Sequence, residues 1–244
     1  MKIFIYILFC SSLAAQGFYL GEKYDYDVFY GFIRVGHASI ETSPNIETLN
    51  GKQTYHVTYK FKTTKVGDKI YKVRDQLELW LEIKDFQLVQ QKKTLRERGW
   101  EHDSLIIMDG NKAIIKGVQE GKIIDKTKEA PDYFFNPYAM ILILRDFKIM
   151  EGESMEFLTF ERRPKSINIT NIGNKSIKTK AGNFEGYIYK PYNKGKPALK
   201  NSGDLELAYS YVNETIIPAD IVLKLNKGYG SIHLKLQKYE TGKK

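Results

Sequence analysis

Cysteine is almost absent from this sequence, with Cys10 the only one among 244 residues. Because Cys10 stands in an amino-terminal stretch that we expect to be removed, the mature chain is predicted to have no disulfide, thiolate nucleophile or cysteine-ligated metal. Its stability must then come from an apolar core. The 42% apolar and 13% aromatic content is sufficient for one.

Long apolar runs are also missing. The longest extends from Ile3 to Cys10, far short of the ~20 residues that a membrane-spanning helix needs. Lys2 precedes this run and small residues follow at positions 11, 12, 14 and 15, which is typical of a secretory signal peptide over residues 1–15. The residue before Cys10 is a phenylalanine, too large for lipoprotein processing, so we predict that Cys10 is not lipidated.

Arginine is scarce as well: 7 of the 38 basic residues are arginines, and the lysines are scattered among 29 acidic residues. No basic block is present, so the sequence predicts no nucleic-acid partner. The net charge of +9 is nevertheless compatible with peripheral contact with an anionic membrane surface.

Motifs for catalysis and for cofactor binding are absent. There is no Gly-x-Ser-x-Gly elbow, phosphate loop, HExxH or dinucleotide fingerprint, and the four histidines lie on separate predicted strands. Asp25/Asp27 and Glu78/Glu82 are spaced to share a strand face, as the acid-base pair of a glycosidase would, but a solvated sheet face has the same pattern. We therefore predict no enzyme, cofactor or metal, and keep a carbohydrate-active enzyme as an alternative.

The sequence does contain long alternating segments, in which apolar and polar residues follow each other with a period of two. Tyr24, Tyr26, Val28 and Tyr30 share one strand face, and residues 54–64 continue the pattern. Twelve or more such segments predict a single, mainly antiparallel all-β domain over residues 16–244. So many strands must form a large curled sheet, a half-barrel or barrel-like, or two packed sheets.

One helical segment interrupts the strands. Residues 138–144 are apolar on every side, Asn136 can cap, Pro137 suits the first helical position, and Arg145 suits the last turn. We therefore predict a short buried helix near 137–145. An apolar helix has no place in the wall of an outer-membrane barrel, and the chain ends in TGKK, not in an aromatic residue. Both features disfavour that competing architecture.

The candidate binding site follows from Gly36 and Ala38, which with Ile40 leave a trough on one strand face. Either an aromatic ring from a neighbouring strand fills the trough, which we favour, or a ligand does. The candidate ligand-binding residues lie on this strand and on the strands expected beside it: Tyr26, Tyr30, Gly36, Ala38, Ile40, Tyr55, Tyr59 and Phe61.

The segments in this order resemble a family of exported bacterial proteins known as domain of unknown function 3108. The motifs that carry the resemblance are Gly21-Glu22, Tyr24, Tyr26, Tyr30, Gly31, Gly36, Ala38, Leu144-Arg145, Thr179 to Phe184, and Gly228 to Ser231. The resemblance covers residues 21–239 and implies export and a β fold. The family has no established activity, so no catalytic residue is transferred.

The function predicted from these observations is that of a periplasmic binding or carrier module for a lipid or another hydrophobic or anionic envelope component. Partners are expected to be a lipid, a glycan or an envelope protein. A scaffold for envelope assembly remains the alternative.

The predicted leader can be tested on the mature protein. We expect mass spectrometry of the chain purified from its host to show a start near residue 16 without acyl groups. A chain that starts at Cys10 and carries acyl groups, or one that keeps Met1, would contradict this prediction.

Overall fold

The computed structural model describes residues 18–193, 196–197, 203–225 and 228–243. The predicted signal peptide, residues 1–15, lies outside the described residues. The strands of the first half are β1 (Lys23–Tyr30), β2 (Ile33–Thr42), β3 (Glu47–Leu49), β4 (Lys52–Thr63), β5 (Arg74–Glu82), β6 (Leu88–Glu97), β7 (Trp100–Asp109), β8 (Lys112–Gln119) and β9 (Lys122–Glu129). Those of the second half are β10 (Ser154–Phe160), β11 (Pro164–Thr179), β12 (Gly182–Asn193), β13 (Lys196–Pro197), β14 (Asp204–Val212), β15 (Thr215–Lys224) and β16 (Ser231–Glu240).

All 16 described strands belong to one sheet, in the order β10-β11-β12-β14-β15-β16-β1-β2-β4-β5-β6-β7-β8-β9, with β3 on β4 and β13 on β12. Neighbouring strands are antiparallel, and the first strand pairs with the last, Tyr24 opposite Tyr239. The edges β9 and β10 do not pair with each other, so the sheet is curled but not closed. The predicted class, an all-β antiparallel fold with a curled sheet and a short helix, is confirmed.

The core lies on the concave face, where the apolar members of each alternation meet. Tyr24, Tyr26 and Val28 of β1 are buried there with Leu79 and Leu81 of β5. Successive side chains of a strand point to opposite faces, so the polar members of the same strands lie on the convex face. The period-two pattern in the sequence therefore records which face of the sheet is dry.

The β11–β12 hairpin is longer than the sequence indicates. The alternation predicts two strands, at 166–170 and 174–180, whereas the structure has one strand with a register shift between Asn171 and Asn174. Gly173 adopts a φ of 109° within this irregularity. A bulge bends a strand, and here the far part of the hairpin packs Ile177 on Ala208 and Ala219.

A second helix, α1 (Lys65–Tyr71), occupies the connection that the sequence indicates as a simple turn. The hydroxyl of Thr64 accepts a hydrogen bond from the Gly67 N–H and caps this helix. A Cβ atom on Gly67 would lie 2.0 Å from the carbonyl oxygen of Val35, so only glycine allows the helix to lie this close to β2. The alternation over residues 71–81 predicts Tyr71 in the apolar row of β5, whereas Tyr71 ends α1 and is exposed.

Residues 130–153, the connecting segment, run from β9 to β10 along the concave face. They contain α2 (Met140–Ile143) and a 3₁₀ turn, Leu144–Asp146, in which Met140, Leu142, Ile143 and Leu144 are buried. The helix is shorter than the predicted 137–145, because Asn136 accepts a hydrogen bond from Tyr138 N–H in a turn before it. Among the described residues, no helix is long and apolar enough to cross a membrane.

A buried ion pair fixes the connecting segment to the sheet. The Arg145 guanidinium donates to both carboxylate oxygens of Glu22, at 2.6 and 3.0 Å, and its Nε donates to the Leu142 carbonyl at 2.9 Å. Glu22 also accepts from the hydroxyls of Tyr24 and Thr42. Glu22 is 0% and Arg145 6% exposed, so both charges depend on this network for solvation.

Three tyrosine hydroxyls make further polar contacts to the connecting segment. Tyr59 donates to the carbonyl of Tyr138, Tyr209 to that of Ile141, and Tyr189 to that of Phe147, at 2.7 to 3.0 Å. Burial raises the pKa of the Tyr59 and Tyr209 hydroxyls well above its ordinary value, which keeps them neutral donors. In a short helix most carbonyls have no hydrogen-bond donor within the helix. The hydroxyls of these tyrosines act as donors to carbonyls of the segment.

The ion pair makes a strong prediction for stability. Arg145→Met should lower the free energy of unfolding by ~3 to 5 kcal/mol, because the Glu22 carboxylate stays buried without its cation. Glu22→Gln added to that variant should restore part of the loss. The measurement is the urea midpoint with its m-value.

The matched control is Arg96→Met, which removes an arginine that pairs with Asp103 at 2.7 Å on the surface. It should cost only about 0 to 1 kcal/mol. A similar loss for both arginine variants would show that the buried pair has no special role.

Candidate functional site

An apolar cavity of about 490 Å³ lies between the connecting segment and the strands β10, β11, β12 and β14. One wall is formed by the segment and the other by the concave face of the sheet. Its apolar lining is Pro137, Tyr138, Met140, Ile141, Leu144, Ile167, Ile169, Pro191, Leu205 and Leu207. The volume falls within the range of small-molecule sites, and the lining is of the composition that such sites have.

The charged residues of the cavity come from the β10–β11 turn and the start of β11. Glu161, Arg162, Arg163 and Lys165 all line it, and the two arginines are exposed. Glu161 forms an ion pair with the buried Lys93. The Lys93 ammonium also donates a hydrogen bond to the hydroxyl oxygen of Tyr138 at 2.7 Å. Since Lys93 neutralises the only carboxylate in the lining, the mouth of the cavity has an excess of positive charge.

Neighbouring titratable groups respond to that excess. Burial lowers the pKa of the His102 imidazole, and the positive charges of Arg162 and Lys93 lower it further. Burial also lowers the pKa of the Lys165 ammonium, followed by repulsion from Arg163. Both shifts disfavour an additional cation, as expected where positive charges converge.

The predicted site residues lie elsewhere, on β1, β2 and β4. Tyr26 and Ile40 are buried in the core, and Ala38, Tyr55 and Tyr59 pack against it. Tyr30 stands at the end of β1 and donates to the carbonyl of Tyr229 at 2.8 Å. None of the eight predicted residues lines the 490 Å³ cavity. Tyr59 is connected to the cavity indirectly, because its hydroxyl donates a hydrogen bond to the carbonyl of the lining residue Tyr138.

The trough at Gly36 is filled by the neighbouring strand. A Cβ atom at position 36 would lie 3.0 Å from the Lys62 carbonyl oxygen and 3.5 Å from Cζ of Phe61. Ala38 is directly opposite Phe61 on β4 and Tyr26 on β1. The ring that closes the trough at Gly36 is thus that of Phe61.

Two other cavities are more polar. A depression of about 210 Å³ touches Tyr26 and Ala38, but its other lining residues are Asp25, His37, Gln237 and Lys238. A larger one, of about 770 Å³, lies among the turns at Glu82 to Asp85 and Asp109 to Asn111, where both charge signs are mixed. Neither combines an apolar wall with charges of one sign.

The carboxylates considered for acid-base chemistry are found on the convex face. Asp27 lies 2.8 Å from Arg34 Nε and 2.6 Å from Lys180 Nζ. Glu82 binds Lys52 at 2.7 Å, and this hydrogen bond lowers its carboxyl pKa. Within residues 18–193, 203–225 and 228–243, no three His, Cys, Asp or Glu side chains group as metal ligands would.

The cavity itself was not predicted, because its walls come from segments distant in sequence. A local signal exists in residues 161–165, ERRPK, where two of the chain's seven arginines are adjacent. Adjacent arginines in a chain that otherwise uses lysine would have indicated a special anion-binding role.

Fold and cavity together define a barrel-like antiparallel β protein with an enclosed connecting segment. The chain belongs to the family described as "Protein of unknown function (DUF3108)", whose model matches residues 25–237. The family resemblance in the sequence is thereby confirmed. No curated protein matches this chain significantly in sequence.

Two solved structures are similar to this chain. One is described as a beta-barrel-like protein of domain of unknown function DUF1849 from Brucella abortus, with a TM-score of 0.55 at 10% identity, covering 92% of this chain and 98% of that one. The other is described as a "putative lipoprotein" from Parabacteroides distasonis, with a TM-score of 0.31 at 12% identity, covering 91% and 95%. The first supports the barrel-like architecture.

Filling the trough at Gly36 should destabilise the protein. Gly36→Val places two methyl groups against the Lys62 carbonyl and the Phe61 ring, so we expect a loss of ~1 to 3 kcal/mol in unfolding free energy. Ser39→Val, on the same strand, is the control and should change it by less than about 0.5 kcal/mol. A denaturant midpoint of Gly36→Val at or above that of the wild type would mean that the trough is empty space for a ligand.

Proposed function

We propose that this protein is a non-enzymatic carrier that binds a single-chain amphiphile with an anionic head group. The apolar chain occupies the 490 Å³ cavity and the head group lies at Arg162 and Arg163. The observation that carries the proposal is the combination, in one cavity, of an aliphatic wall and a mouth with excess positive charge.

The apolar lining favours a hydrocarbon ligand over a sugar. Met140, Ile141, Leu144, Leu205 and Leu207 offer no hydrogen-bonding side-chain groups. A glycan would lose its hydrogen bonds to water on entering such a space without replacement, at a cost of about 1 to 3 kcal/mol for each group. A hydrocarbon chain gains free energy from the same burial.

The two arginines favour an anionic head group. Within the part of the chain that the structure describes, Arg163 forms no ion pair, and Arg162 contacts His102 Nε2 at 3.3 Å. Guanidinium groups bind carboxylates and phosphates through paired hydrogen bonds. A bound anion would also relieve the repulsion that Lys165 and His102 experience.

The place of action that fits this role is the bacterial periplasm. The predicted signal peptide, residues 1–15, supports export, and a carrier of amphiphiles has its substrates in the adjacent membranes. A carrier is the simplest function for a cavity whose wall is mostly aliphatic and whose charged residues lie at its mouth.

The experiment is a titration with 11-(dansylamino)undecanoate, a fluorescent fatty acid, followed by displacement with palmitate. Arg162→Gln/Arg163→Gln should weaken probe binding about tenfold or more, because charge-assisted hydrogen bonds are lost. The methyl ester of the probe has no charge and should bind both proteins alike. Leu207→Trp should abolish binding of both probes by filling the cavity.

Arg98→Gln is the matched control, since it removes an exposed arginine from the β6–β7 turn. It should leave probe binding unchanged. Equal binding by wild type and Leu207→Trp, or no binding by the wild type, would overturn the proposal. In the latter case, native extraction that yields a stable protein partner would favour the scaffold alternative.

A further inference from the structure

The end of the sheet that carries α1 also carries a group of exposed apolar side chains. Strands β1, β4 and β10 end there, and β2, β5 and β11 begin there. Phe32 at the tip of the β1–β2 hairpin is 92% exposed, and Val66 and Ile70 of α1 are 52% and 48% exposed. We call this end, with Phe32, Ile33, Val66, Ile70, Tyr71 and Tyr229, the apolar rim.

The members of the apolar rim are held together by backbone contacts. Thr64 N–H donates to the Val35 carbonyl at 2.8 Å, which places α1 beside the start of β2, two residues from Ile33. Gly31 N–H donates to the Ser231 carbonyl, and the Tyr30 hydroxyl to the Tyr229 carbonyl. The hairpin tip with Phe32 is therefore anchored on both sides.

The rim is surrounded by lysines. Lys62, Lys65, Lys69 and Lys72 are exposed on and around α1, and in the described parts of the chain none of these four forms an ion pair. The acidic residue of the helix, Asp68, is neutralised by Arg74 at 2.8 Å. Another carboxylate at the rim, Glu97, accepts a hydrogen bond from the Tyr71 hydroxyl at 3.1 Å. The four lysines outnumber it, so the rim combines apolar side chains with a net positive charge.

We propose that the apolar rim docks on an anionic lipid bilayer. Apolar side chains enter the boundary between head groups and acyl chains, while the lysines attract the charged head groups. A protein partner with an apolar patch would match the side chains, but the four uncompensated lysines favour a surface of negative charge. This docking is independent of what the cavity binds.

Position adds a second argument. The β10–β11 turn with Arg162 and Arg163 lies at the same end of the sheet, because Phe160 pairs with Pro164 there and the strand order leads from β11 through β16 to β1. The exposed apolar residue Tyr211 lies at the opposite end, beside the β14–β15 turn. A bilayer on the apolar rim would thus face the same side as the cavity mouth.

The test is co-sedimentation of the full mature chain with two vesicle types, one of pure phosphatidylcholine and one with added phosphatidylglycerol. We expect binding to the phosphatidylglycerol vesicles that weakens as NaCl is raised, since screening removes the attraction. Phe32→Ser/Ile70→Ser should lower the partition coefficient about tenfold or more. Lys65→Gln and Lys69→Gln should each lower it about fivefold.

Tyr211→Ser, which removes an exposed ring at the opposite end of the sheet, is the control and should partition as the wild type does. Equal partition of Phe32→Ser/Ile70→Ser and wild type would overturn the proposal, as would equal binding to both vesicle types. A wild type that dimerises through the rim in solution, shown by a monomeric Phe32→Ser/Ile70→Ser, would replace the bilayer by a second copy. The fatty-acid probe should bind Phe32→Ser/Ile70→Ser as it binds the wild type. Unchanged probe binding shows that a loss of vesicle binding comes from the rim and not from a damaged cavity.

Discussion

The fold depends on one pair of charges placed where water is absent. Glu22 precedes the first strand, and Arg145 lies 123 residues later in the 3₁₀ turn of the connecting segment; the two side chains meet at 2.6 Å inside the protein. Burying either charge without the other would be strongly unfavourable, so the start of β1 and the 3₁₀ turn of the connecting segment must come together. The pair thereby fixes α2 against the sheet, and with it one wall of the cavity.

Tyrosine suits the inner face of this sheet, because its ring excludes water and its hydroxyl can donate a hydrogen bond to the backbone of the connecting segment. A curled sheet of this size leaves a wide interior, and the structure fills it with a segment that has only one turn of helix. Tyr59, Tyr189 and Tyr209 each bury a ring and place a hydroxyl on a carbonyl of that segment. Phenylalanine would fill the same space and leave those carbonyls without donors.

The strands were predictable from the sequence, since burial on one face of a sheet leaves a period of two in the residues. The close approach of a neighbouring strand at Gly36 was also recognisable from the sequence, and the ring that makes it is that of Phe61. The pairing of Glu22 with Arg145 was not recognisable from the sequence, although both residues belong to motifs of the family resemblance. Local patterns record faces and turns, whereas a contact across 123 residues depends on how the sheet curls.

The position of the cavity follows from a change in side-chain size along the inner face of two paired strands. Tyr187 pairs with Tyr209 and their rings stack at 5.6 Å, which fills the interior at that level. Toward the α1 end, Leu207, Leu205 and Pro191 follow on the same strands, and the space between sheet and segment opens where the rings stop. Aliphatic side chains reach less far than aromatic rings, so they leave more space between the sheet and the segment at that level. The gap opens beside the only turn of the described chain that carries two adjacent arginines, so its apolar depth and its positive mouth have separate origins in the sequence.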